Sequence, residues 1–417
     1  PHEIIFHQPA DKSVTQWVTS HHKSHAFLLV SHTLRHKTSF IQRIEQSLGA
    51  LHAGTWSGMR AHSPREDVMS AANQARKAGA DVLITIGGGS LTDGAKAVVL
   101  CLALNLTKVS EMSPYRGKSI TGSDANYTLL PEQIIPLVCV PTTLSGGEYT
   151  PLAGVSDLSR SPSRKEGYSH PLLKPCAVLY DPTLTRHTPE WLFLSTGVRA
   201  IDHCVEALCS VDRNPYTSGI ASSALRMLSR GLVAVKKDSS NVEARALCQY
   251  GVALASATIV QVSYGASHAI GHVLGGSAAV PHGYTSCVLL PCVLKWNSQE
   301  SELASALEEV RAVVVEELEE EQDDASQAVD ALIRILGMPR TLDEMEMKGI
   351  VWNDDRLKEI AQFSMYDPWT KTNPRIIHGK EDVLEILLMA RSGVVDDVVV
   401  VDDDERERKK ISFSSRL

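Results

Sequence analysis

The chain has 417 residues, 43% hydrophobic and 22% charged, with a formal net charge of −8. That length accommodates two domains, the acid excess argues against a general nucleic-acid binder, and no apolar run reaches the ~18–20 residues a membrane span needs. The start, Pro1-His-Glu-Ile-Ile-Phe6, lacks the basic region and apolar core of a secretory signal. Eight cysteines without a C-x-x-C pair read as reduced, buried thiols of an intracellular protein.

In chain order, Ala26-Phe-Leu-Leu-Val30 predicts a first buried strand, and helices are expected over 39–48 and 65–78. Asp81-Val-Leu-Ile-Thr-Ile86 is a second strand, running into Gly87-Gly-Gly-Ser90-Leu-Thr-Asp93-Gly-Ala-Lys96. Strand, glycine turn and helix in that order place unpaired N–H groups and the positive end of a helix dipole where a phosphate binds. A dinucleotide is the obvious occupant, although the spaced G-x-G-x-x-G pattern is absent. Further strands are expected at 134–140 and 177–180. Strands alternating with helices imply a mostly parallel, Rossmann-like α/β sheet.

The pattern changes near Asp181-Pro182, after which the segments are helical to about Gly393. Ser195 or Thr196 is expected to cap a helix whose apolar stripe is Val198, Ile201, Val205 and Leu208. The small residues of 241–260 suit close helix packing. The organisation expected is therefore an α/β nucleotide domain over 1–182, an all-helical domain over 183–393, and a charged extension over 394–417. The acidic run 316–324 reads as solvated. The extension ends on Ser415-Arg416-Leu417, which is similar to a peroxisomal address. Cytoplasm and peroxisome both remain open.

Arg199 and His203 stand four apart, as do His268 and His272, and His282 follows in Pro281-His282-Gly283. On helices, each pair shares a face. Several histidines in glycine-flanked, mostly apolar segments point to a site.

These motifs together resemble the iron-containing (group III) alcohol dehydrogenase superfamily, over roughly residues 1–393. Gly87 to Lys96 is similar to its G-G-G-S-x-x-D-x-A-K, and the likeness continues through Pro141-Thr-Thr143, the 197–206 helix, 268–276 and Pro281-His282-Gly283. The loop 141–150, the segment 200–208 and Asn373-Pro-Arg375 look closest to maleylacetate reductases. The resemblance implies an NAD(P)-dependent oxidoreductase with its substrate in the cleft between the two domains, and a homodimer or larger homo-oligomer. Gly87, Gly88, Gly89 and Ser90 would hold the pyrophosphate, with Asp93, Lys96, Thr142, Thr143 and Ser145 beside the nucleotide. His203, His268 and His282 match the family's metal ligands, and His272 its additional active-site histidine.

Position 199 departs from the pattern: iron-dependent members have Asp there, and maleylacetate reductases usually Asn. A guanidinium has no lone pair to offer a metal and stays protonated. At ~4 Å from a divalent ion, with an effective dielectric constant near 20, it is repelled by roughly 8 kcal/mol. The expectation is therefore a reductase without iron or zinc, acting on a small carbonyl, enol or carboxylated compound. Arg199, His203, His268, His272 and His282 are its candidate catalytic residues. Should a metal bind, His203, His268 and His282 would hold it. Dehydroquinate synthases share the scaffold, so a redox-neutral lyase or isomerase is the alternative. Nothing after the first strand, at Ser31-His32, decides between NAD and NADP. Asp202 reads as a domain-surface residue, Cys204 as packed, and Glu206 as orienting His203 or acting itself.

Overall fold

The computed structural model describes residues 3–116, 134–159, 164–278, 280–319, 321–345 and 350–393. The charged extension and its Ser415-Arg416-Leu417 end lie outside the described residues. Six strands form one parallel sheet: β1 (Glu3–Ile5), β2 (Ala26–Val30), β3 (His52–Trp56), β4 (Val82–Gly87), β5 (Leu137–Pro141) and β8 (Ala177–Leu179), in the order β1-β8-β5-β4-β2-β3. The central strands β2, β4 and β5 are buried along their whole length, as continuous apolar runs covered on both faces must be. The strand period divides β4 between two cores. Val82, Ile84 and Ile86 face one with Val14, Ile41 and Ile44, while Leu83 faces the other with Val68, Ala95 and Val98.

Sequence reading omits β1, β3 and an antiparallel hairpin, β6 (Leu152–Asp157) with β7 (Arg164–Ser169). β1 and β3 are the sheet edges, and neither His52-Ala-Gly-Thr-Trp56 nor the polar β7 is an apolar run. The hairpin is fastened from below by Lys96. Its ammonium is fully enclosed and donates to the carbonyls of Gly147 and Leu152, both at 2.6 Å, and to Thr150 Oγ1 at 3.3 Å.

After β8 the structure is helical. Its axis is the helix Glu190–Cys209, buried without interruption from Phe193 onward because Pro215–Lys237, Val242–Thr258 and His282–Asn297 surround it. It begins nearly two turns earlier than the sequence suggests. Pro189 takes the capping position, so Ser195 and Thr196 lie inside the helix instead of opening it. Both then serve as contacts. Thr196 Oγ1 accepts the Leu144 N–H at 3.0 Å from the α/β half, and Ser195 is packed by Gly283. Small residues let the helices approach: a Cβ at Gly251 would lie 2.7 Å from Leu228, and one at Gly197 2.4 Å from Leu232. The cysteines are free, and seven of the eight are buried. No helix among the described residues is long and apolar enough to cross a membrane.

Candidate active site

Two sets of residues frame the junction of the halves. The first is the end of β4. Gly88 is extended (φ −92°, ψ −177°) and caps the helix Gly89–Ala103, so no left-handed conformation is needed. What the glycines provide is room: a Cβ at Gly88 would lie 2.9 Å from Thr143 Cγ2, and one at Gly89 2.7 Å from Ser145 Oγ. The loop after β5 therefore lies directly on the glycine turn, tied by the Thr142 N–H to the Gly87 carbonyl at 3.0 Å. Thr142 and Thr143 are buried there. Ser90 Oγ accepts the His62 N–H at 3.2 Å, and Asp93 accepts the Gly154 N–H at 3.2 Å. Lys96 is enclosed behind this surface, its ammonium 3.4 Å from Asp93 Oδ1 and donating to the loop and hairpin carbonyls, so it braces the loop after β5 and the hairpin.

The same loop leads into the helical half. Thr188 Oγ1 donates to the Thr142 carbonyl at 2.8 Å, and Leu144 reaches helix Glu190–Cys209 at Gly197. Two residues further along that helix is Arg199. Its guanidinium is almost enclosed; Nη1 donates to Ser286 Oγ at 3.1 Å and lies 3.5 Å from Asp202 Oδ2. Asp202 is completely buried, contrary to its reading as a surface residue. It accepts hydroxyls from Ser267 at 2.9 Å and Ser286 at 2.6 Å. Its role is to neutralise a cation that cannot lose its proton, because a lone buried charge would be strongly unfavourable.

His203 and His268 stack beside this pair with ring centroids 4.9 Å apart, closed in by Tyr264 at 4.4 Å from His268. Burial first, and Arg199 second, hold both imidazoles well below their usual range, so both are neutral. Glu206 turns to His268 and not to His203. Its Oε2 lies 2.7 Å from His268 Nδ1, and it also accepts the backbone N–H groups of Gly265 and Ser267. Burial and the neighbouring Asp202 raise Glu206, and burial raises Asp202 against the pull of Arg199. Nδ1 of His203 and Nε2 of His268 are buried without a hydrogen-bond partner, as polar atoms awaiting a ligand would be.

His272 and His282 form a shallower layer. Their rings stand edge to face with centroids 6.5 Å apart, and a Cβ at Gly275 would meet the His282 ring at 2.9 Å. Trp369 touches both layers, 5.6 Å from His268 and 5.1 Å from His272. The structure thus brings Arg199 and all four histidines into one connected group.

Several members of this group carry no local sequence signal. Tyr264, Ser286, Trp369 and Asp367, whose Oδ2 lies 2.9 Å from His272 Nδ1, are outside the histidine motifs and arrive by packing. Asn373 does fall within a quoted motif: its Oδ1 accepts the Ala266 N–H at 3.0 Å, steadying the start of the His268 helix. Glu206 also had a signal, since it stands one turn after His203.

The fit of the family's metal can be judged from these positions. The place of the fourth ligand is a guanidinium, which offers only donors. Among the described residues, the group whose ligand atoms converge within 4.8 Å is Asp202, Glu206 and His268, not the three histidines 203, 268 and 282. Both Glu206 oxygens already accept backbone N–H groups and Asp202 Oδ2 accepts two hydroxyls, while Asp202 Oδ1 is buried without a hydrogen-bond partner. The three histidines of the family's metal set are thus not the converging group here, and position 199 offers no ligand.

Comparison with known proteins agrees with the motifs. The model of the iron-containing alcohol dehydrogenase family matches residues 1–182, and that of the Fe-containing alcohol dehydrogenase family, C-terminal, matches 193–391. The chain is 32% identical to the dehydrogenase FUM7 of Gibberella moniliformis over 395 residues, covering 88% of this chain and 91% of that protein. It is 30% identical to maleylacetate reductase 2 of Cupriavidus pinatubonensis over 352 residues, 84% and 85% of the two chains. The crystal structure of maleylacetate reductase from Agrobacterium tumefaciens superposes with a TM-score of 0.74 at 27% identity, covering 94% of this chain and 97% of that one. With the glycine turn and the basic, histidine-lined group on one scaffold, the chain belongs to the iron-containing alcohol dehydrogenase family and is an NAD(P)-dependent oxidoreductase of its maleylacetate reductase-like kind.

Proposed function

We propose that this protein is an NAD(P)H-dependent reductase that works without a catalytic metal on a small carboxylated carbonyl or enol compound, bound between domains 1–182 and 183–393. The observation that carries this reading is Arg199: a permanent cation, almost enclosed, beside two neutral histidines where the family places a metal ligand. Gly87, Gly88, Gly89 and Ser90 hold the pyrophosphate, with Asp93, Thr142, Thr143 and Ser145 around it and Lys96 bracing the loop after β5. Hydride passes from the dihydronicotinamide to a carbonyl carbon, or to the β-carbon of a conjugated C=C bond, and the displaced electron pair moves to the carbonyl oxygen. Arg199 stabilises that developing charge as a preorganised donor. His203, His268, His272 and His282 are the candidate proton groups. A guanidinium also matches a carboxylate in two-pronged fashion, which favours an acidic substrate. Support for a homodimer is the family likeness alone, and for a peroxisomal address the terminal tripeptide alone.

The test is metal analysis of freshly purified protein together with NADH and NADPH binding by fluorescence and net nucleotide oxidation with maleylacetate. Nucleotide bound and consumed without stoichiometric metal is the expected result. Metal at one per chain overturns the role given to Arg199. Substrate turnover with no net NAD(P)H consumption would move the reading to a lyase or isomerase.

A further inference from the structure

The proton path of this reduction is marked by an interaction that joins residues 95 positions apart, and the inference drawn from it rests on the reductase reading above. His272 Nδ1 lies 2.9 Å from Asp367 Oδ2. Asp367 is fixed in turn, because its Oδ1 accepts the Trp369 N–H at 3.0 Å and caps the short helical turn Pro368–Thr372. The indole of Trp369 then lies against the imidazole at 5.1 Å and 32°. One turn of chain thus supplies a carboxylate to one edge of the His272 ring and a wall to its face. Rotation of the ring would break the bond to Asp367.

The four histidines differ in access. His268 is 1% exposed and His203 7%, whereas the His272 side chain keeps 39% of its surface open. Nδ1 of His268 is already taken by Glu206, and its Nε2 is sealed from water. A reduction consumes one proton per turnover, and that proton must come from solvent. His272 combines an open ring with a place in the site, 6.5 Å from His282 and against the same Trp369 that touches His268.

We propose that Asp367 is a positioning residue that holds His272 with Nδ1–H on the carboxylate and Nε2 toward the substrate, making His272 the proton donor. As hydride reaches the carbonyl carbon, or the β-carbon of a conjugated enone such as maleylacetate, the oxygen that gains the electron pair takes the Nε2 proton of the imidazolium. The ring becomes neutral in the Nδ1–H tautomer and regains a proton from water; the nicotinamide leaves oxidised, and the substrate leaves as an alcohol or, from an enone, as an enol that reverts to the saturated ketone. A carboxylate on the far nitrogen selects that tautomer and leaves Nε2 as the position that exchanges the proton.

The experiment compares the full-length protein with Asp367→Asn, Asp367→Glu and His272→Asn. Asn retains an oxygen for the Trp369 N–H, so the helical turn is kept while the acceptor for Nδ1–H is lost. Two readouts are taken: imidazole nitrogen resonances, with His272→Asn assigning the His272 signal, and steady-state reduction of maleylacetate by NADPH. Expected are an Nδ1–H tautomer in the wild type that is lost in Asp367→Asn, a kcat lower by roughly 10–100-fold with nucleotide KM unchanged, and partial recovery in Asp367→Glu. An Nε2–H tautomer in the wild type, or an unchanged kcat in Asp367→Asn, overturns the inference. Should the wild type oxidise no nucleotide, the reductase reading fails separately, and the tautomer still decides whether Asp367 orients His272.

Discussion

Replacing Arg199 by Met tests whether that cation is held in place by Asp202. The pair is 3.5 Å apart, with the two side chains 10% and 0% exposed, so solvent screens it little. At an effective dielectric constant near 20, two unit charges at that distance attract by roughly 5 kcal/mol. Removing one partner of such a pair costs about 3–5 kcal/mol, because the other charge stays buried without compensation. Arg199→Met should therefore lower the unfolding free energy by about that amount in urea at pH 8. Burial already raises the Asp202 carboxyl, and loss of Arg199 raises it further. A carboxyl raised in the folded state contributes stability at low pH that is lost as pH rises, so the deficit should shrink at pH 6. Adding Asp202→Asn removes the stranded charge while leaving an oxygen for Ser267 and Ser286, and the double variant should regain at least half of the loss. A single variant within about 1 kcal/mol of wild type, or a double variant no better than the single, would refute the reasoning.

Three further outcomes follow from the same structure. Glu148 is buried beneath the Tyr149–Tyr180 hydroxyl pair, and burial pushes its carboxyl from 4.5 up to about 7. Its stability contribution is complete below 4.5 and is lost as pH rises to about 7, a change of about 3 kcal/mol. Glu148→Gln should remove that slope from a pH series of urea unfolding curves; an identical slope in both proteins refutes it. Gly88→Ala is permitted by the backbone but puts a methyl 2.9 Å from Thr143 Cγ2. Loss of roughly tenfold or more in NADPH affinity, about 1.4 kcal/mol, is expected by fluorescence titration, and unchanged affinity would remove the glycine turn from the nucleotide site. Gly283→Ala drives a methyl to 2.6 Å from the Ser195 backbone. It should cost about 1–3 kcal/mol, read as a lower denaturant midpoint at constant m. A midpoint equal to that of wild type would mean the two helices separate freely.

The sequence by itself determined the family, the parallel sheet and the helical second half. Each rests on signals within one stretch of chain: the apolar runs of β2, β4 and β5, the glycine turn at 87–89, and histidine pairs spaced for one helix face. It also showed that position 199 carries a guanidinium instead of a ligand. It did not reveal the edge strands β1 and β3 or the β6–β7 hairpin, since short or polar strands at an edge lack an apolar run. Nor did it show what becomes of that guanidinium. Asp202, three residues away, looked like a surface acid; only the packing of Ser267 and Ser286 around it makes it the buried partner of Arg199. Glu206 was paired by proximity with His203, yet the fold gives it to His268, 62 residues on. Asp367 meets His272 across 95 residues. Periodicity records which face a residue takes on its own helix. Which charge it meets there depends on how separate helices pack, and that is decided only in the tertiary structure.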